Sequence, residues 1–91
     1  MSMLMKRPTD EELRERYYGV YSLDSLSTKK IYGRDMKDEK YHCGETTWTL
    51  PKEVEGKIED DKPYFIWYRW TDSADYSDSS MHYHVYYIEE W

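Results

Sequence analysis

The chain has 91 residues and a net charge of −6, with 35% charged and 18% aromatic residues. That length bounds it to one small domain, which buries only about 60–65% of its unfolded surface. The acidity argues against direct nucleic-acid binding, which draws on a basic stripe to displace counterions.

Leu, Ile, Val and Phe supply only 13 residues, a level that with this charge ordinarily marks disorder. The sixteen aromatic residues reverse that reading, because each large ring buries roughly 150–250 Å². A core built from Tyr and Trp is therefore expected. The single cysteine, Cys43, excludes an intrachain disulfide, which fits a reducing cytosol. No run of the sequence has the apolar length of a signal peptide or a membrane span, so a soluble cytoplasmic protein without membrane contact is expected.

In chain order, residues 1–8 read as a loose arm. Thr9 then reads as a helix N-cap, with Glu12 reaching back and Asp10, Glu11 and Glu12 on the positive end of the helix dipole. Leu13, Tyr17, Val20 and Tyr21 recur at helical spacing. Gly19 places the helix end near Tyr18, with Val20–Leu23 already extended. Residues 24–30 read as a polar turn, Ile31-Tyr32 as a short strand, and residues 33–40, which lack an apolar period, as a loop. The β-prone alternation Thr46-Thr47-Trp48-Thr49 predicts a strand over residues 42–50. Pro51 suits the first turn of a short helix, with Glu53 near N3 and Val54 and Ile58 on one face.

The last third is the plainest. Residues 64–70 (YFIWYRW) and 81–88 (MHYHVYYI) read as two strands of a hairpin, joined by the polar TDSADYSDSS connection. Both are apolar on both faces, which puts the hairpin at the centre of its sheet. The predicted fold class is α+β: an antiparallel sheet of four to five strands with two short helices, in a single domain spanning residues 1–91.

Several constellations invite a chemical reading. His82 and His84 share one strand face and His42-Cys43 adds two donors, yet the sequence has no CxxC or HExxH spacing, so neither metal nor cofactor is expected. Asp72, Asp75 and Asp78 lack the glycine and closing glutamate of a calcium loop. Cys43 has an acidic neighbour in Glu45, contrary to the setting that activates a thiolate. No general acid–base pair can be placed, and an enzyme is not expected.

The charge is lopsided. Residues 1–40 sum to +1 and residues 41–91 to −7. Glu45, Glu53, Glu55, Glu59, Asp60 and Asp61 are concentrated beside the predicted strand and helix. The plainer reading is a solvated helix face. The sharper one is carboxylates standing where phosphates sit in a basic groove, since phosphate contacts dominate DNA binding.

The block GETTWTLPKEVEGKIEDDKP resembles the uracil-DNA glycosylase inhibitor family of phage proteins. In that family an acid opens an apolar strand, Leu-Pro-Glu-Glu-Val-Glu starts the second helix, and Lys-Pro leads into a strand, an acidic turn and a further strand. Here Glu45-Thr46 opens the strand, Leu50-Pro51-Lys52-Glu53-Val54-Glu55 starts the helix, and Lys62-Pro63 leads into YFIWYRW. The acidic turn and the strand from Met81 follow, so the likeness covers residues 44–81.

The resemblance implies an inhibitor that inserts an acidic strand edge into the basic DNA-binding groove of a glycosylase, in the cytoplasm of a bacterial host. It implies enzyme contacts from Glu45, Thr46 and Glu53. It further implies an apolar pocket, lined by Val54, Ile58 and Met81, that receives the enzyme's DNA-intercalating side chain. Gly56 stands where the family has a further acid, and the added stretch 20–43 can replace two closing strands. The runner-up is a generic acidic interaction module, such as an inhibitor of another host nuclease, restriction or CRISPR effector, or polymerase.

Overall fold

The computed structural model describes residues 4–38, 40–41, 44–72 and 81–91, with side chains for 4–36, 48–70 and 82–91. The Ser/Asp-rich connection 73–80, His42 and Cys43 lie outside the described residues, as do the side chains of Asp72, Glu45, Thr46 and Met81. No described helix is long and apolar enough to cross a membrane.

Helix α1 spans Asp10–Arg16. The Thr9 hydroxyl accepts the Glu12 amide at 3.2 Å and faces the Glu12 carboxylate at 3.3 Å, while three acids occupy the positive end of the dipole. Tyr17 ends the helix in an extended conformation. Of the predicted stripe, Leu13 and Val20 are buried, while Tyr17 and Tyr21 face solvent. Thr9→Ala is expected to cost about 1 kcal/mol, read as a shift in urea midpoint at unchanged slope.

Strands β1 (Ser27–Tyr32), β3 (Gly44–Thr49), β4 (Pro63–Asp72) and β5 (Met81–Glu90) form the main sheet in the order β1-β4-β5-β3. The two-residue strand β2 (Lys40–Tyr41) adds to the outer edge of β3. The β4–β5 pair is central, as its two-sided apolar pattern predicts. The sheet is mixed rather than purely antiparallel, because β3 runs parallel to β5 in the register Thr46↔Met81 to Thr49↔His84. Residues 50–62 carry the chain away from β3, and the β4–β5 pair then inserts between β1 and β3.

A bulge interrupts β4–β5. Tyr68 pairs with Val85 and Trp67 with Tyr87, which leaves Tyr86 as the extra residue. The sheet buries a core on each face. One gathers Ile31, Met36, Val54, Ile58, Tyr64, Ile66, Val85 and Ile88. The other joins Leu13, Val20 and Leu23 to Tyr87, with Tyr86 and Trp67 packed alongside. Residues 4–8 lie against the sheet: Met5 touches both cores, and the Arg7 guanidinium stands 5.8 Å over both Trp67 and Tyr87.

The helical content differs from expectation in two places. Helix α2, Gly33–Asp38, occupies the predicted loop, and its single buried apolar residue, Met36, gives no period to detect. The helix expected after Pro51 is one 3-10 turn, Lys52–Val54. Glu55 (φ −58, ψ 129) and Gly56 (φ +77) end it with the geometry of a type II turn, closed by the Lys57 amide on the Val54 carbonyl at 3.0 Å. A positive φ there stops helix propagation outright.

Candidate protein-docking site

The segment from Pro51 to Lys62 turns two apolar side chains inward and its acids outward. Val54 and Ile58 are buried, while Glu53, Glu55, Glu59, Asp60 and Asp61 are exposed. The backbone is tied down along its length. Gly33 donates to the Lys62 carbonyl at 3.0 Å and Arg34 to the Asp60 carbonyl at 3.2 Å. The Tyr64 hydroxyl, buried beneath the segment, accepts the Glu59 amide at 3.0 Å. Tyr64→Phe keeps the ring but orphans that amide, so it is expected to cost about 2 kcal/mol in a denaturant titration.

These acids are not equally available. Lys62 contacts Glu59 at 2.6 Å and Glu90 at 3.8 Å, and Arg34 contacts Asp61 at 3.6 Å. The hydrogen bond that Lys62 donates to Glu59, then the charges of Glu59 and Glu90, hold the Lys62 ammonium above its ordinary pKa. Exposed pairs of this kind add little to stability, but they offset part of the negative charge locally. Among the described residues, Glu53 and Glu55 take part in no ion pair.

Glu53 stands on the wall of a groove between α1 and the start of the acidic segment. Two adjoining cavities of about 280 and 310 Å³ share Arg16, Tyr17, Pro51, Glu53 and Tyr86 as lining. Tyr17 meets Tyr86 edge-on with centroids 4.5 Å apart. Burial raises the Tyr86 hydroxyl above the ordinary phenol range, against a lowering influence from Arg69. Of the residues lining this groove, only Glu53 is among the expected partner contacts. The helical spacing of Leu13 and Tyr17 marked α1 as packed, but its opposite wall came from residues far along the chain.

The predicted site residues are distributed as follows. Glu53 is exposed at the groove. Thr46 pairs with Met81 in the sheet, and Glu45 pairs with Lys40 of β2. Val54 and Ile58 are brought together, but inside the core with Met36, Tyr64, Ile66 and Ile88, and neither lines the groove. The Met81 side chain, the third member of the pocket that the resemblance implies, lies outside the described residues. Met36 of α2 belongs to the same buried cluster as Val54 and Ile58.

His82 is half-buried and His84 exposed on β5, and no group of three or more potential metal ligands occurs among the described residues. Comparison with protein-family models, with curated proteins and with solved structures found no match to this chain.

Proposed function

We propose that this protein is an acidic DNA mimic that docks in the DNA-binding groove of a DNA-processing enzyme and blocks it, with uracil-DNA glycosylase as the first candidate. The observation that supports this reading most is the run of exposed carboxylates at Glu53, Glu55, Glu59, Asp60 and Asp61 on a hydrogen-bonded segment. A held backbone presents those charges with little ordering cost on binding. A basic groove evolved for phosphates meets them with complementary potential, which speeds encounter and selects partners.

Val54 and Ile58 are interior, so the docking energy on this reading comes chiefly from carboxylates and exposed aromatic surface. The decisive assay is uracil excision from duplex DNA with the protein added from equimolar to tenfold excess. Excision is expected to stop near equivalence. Undiminished excision across that range would remove the glycosylase from consideration.

The burial of Val54 and Ile58 also favours a second reading, a docking protein for another DNA-processing enzyme. Capture of a specific partner from bacterial lysate separates the two. A glycosylase among the retained proteins supports the first, and a nuclease or polymerase in its place supports the second.

A further inference from the structure

On the sheet face opposite α1, Trp48 of β3 lies in an aromatic cluster built from three strands. Tyr83 of β5 stacks on it with centroids 4.2 Å apart and planes 18° from parallel. Tyr68 of β4 approaches Trp48 edge-on at 6.0 Å and Tyr83 at 5.5 Å. Tyr83 is buried, whereas Trp48 and Tyr68 are only half-buried at the margin of the core.

The stack with Tyr83 occupies one indole face. Over the ring stands a cation: the Lys29 ammonium of edge strand β1 lies 5.5 Å from the Trp48 centroid. Among the described residues that ammonium makes no ion pair with a carboxylate. It is held by ring electrons instead, in a setting that selects for positive charge.

We infer that the Trp48 face is a seat for an arginine side chain of the basic partner, and that Lys29 fills it in the free protein. The partner's identity as a basic protein rests on the docking reading above; the seat itself is read from geometry. Two features favour a guanidinium as the occupant. A planar, weakly hydrated guanidinium stacks on indole better than a compact, strongly hydrated ammonium. The protein's net charge of −6 draws cationic side chains toward it.

The experiment titrates isotope-labelled full-length protein with N-acetyl-arginine amide and follows the four tryptophan indole N–H resonances by NMR. A Trp48→Phe variant assigns the relevant one. The neutral N-acetyl-glutamine amide serves as control, and spermidine as a cation of non-protein origin. The Trp48 indole is expected to shift saturably with the arginine derivative and not with the glutamine one. Lys29→Met, which vacates the seat, should tighten that binding about threefold, and Lys29→Arg, which fills it better, should weaken it.

Absence of a saturable Trp48 shift in wild type and Lys29→Met overturns the inference. Equal affinity in wild type, Lys29→Met and Lys29→Arg overturns the role of Lys29 as occupant. A response to spermidine but not to the arginine derivative overturns the assignment to a protein side chain. Should Lys29→Met fail to fold, wild type against Lys29→Arg still decides the order. The readout involves no enzyme, so a negative excision assay and a negative titration remain separable results.

Discussion

Gly33→Ala is expected to destabilise this protein by about 4 kcal/mol, more than any other single methyl group added here. A Cβ at residue 33 would lie 2.1 Å from the Glu59 carbonyl oxygen and 2.8 Å from its carbon, so the obstacle is backbone. Relief requires α2 and the acidic segment to separate. That separation breaks the Gly33-to-Lys62 and Arg34-to-Asp60 hydrogen bonds and loosens Met36 from Val54 and Ile58. Two lost hydrogen bonds account for about 2 kcal/mol and the overpacking for a similar amount. In a domain of this size the melting temperature should fall by about 15–30 °C.

Gly56→Ala is the natural control. Nothing lies within 4 Å of a Cβ there, and the only penalty is the φ of +77, about 1–2 kcal/mol. A Gly33→Ala protein no less stable than Gly56→Ala would show that the contact between α2 and the acidic segment is not tight.

Those two glycines also show what the sequence discloses and what it hides. Gly56 reads as a weak point inside a helix, because Pro51, Glu53 and the Val54/Ile58 spacing all satisfy helix rules locally. Its left-handed conformation is set by the need to return the chain into β4, which no local pattern encodes. Gly33 carries no local signal at all, since its requirement comes from Glu59, far along the chain.

The same division runs through the strands. β4 and β5 are legible because long β-prone aromatic runs have few alternatives. β1 is legible only at its end, Ile31-Tyr32, because Ser27 to Lys30 are polar, as an edge strand tolerates, and only Ile31 of β1 is buried. The parallel pairing of β3 with β5 is a tertiary choice made by the 50–62 crossover. The core is mainly aliphatic, contrary to the Tyr and Trp core that composition suggests: among the described residues only Tyr64, Tyr83 and Tyr87 are buried aromatics, and the tryptophans lie at its margin or at the surface. At the candidate site the exposure of Glu53 followed from the inward facing of Val54 alone. The groove beside it did not, since Tyr17 and Tyr86 meet only once the β4–β5 bulge has turned Tyr86 toward α1.

The largest effect on binding is expected from Glu45→Ala combined with Glu53→Ala, which should weaken the partner complex by about 3–5 kcal/mol. The two acids are chosen for different reasons. Glu53 is exposed, outside the described ion pairs, and on a backbone held in place by its neighbours. Glu45 lies on β3 in register with Lys40, at the outer side of the sheet. If both face a basic groove, truncation leaves cationic partner groups desolvated and unpaired, which costs far more than the loss of a rim charge.

The corresponding affinity loss is about two to four orders of magnitude, measured by calorimetry or by the concentration needed to halt uracil excision. Glu59→Gln should do much less, because Glu59 is already engaged by Lys62. The salt dependence should move in parallel, with the double variant losing part of the steep decline in affinity that wild type shows as ionic strength rises. Thermal stability should stay close to wild type, since Glu53 is exposed and outside the described ion pairs. Wild-type affinity in the double variant would reject this face as the docking surface, and an equal loss in Glu59→Gln would reduce it to unspecific attraction by net charge.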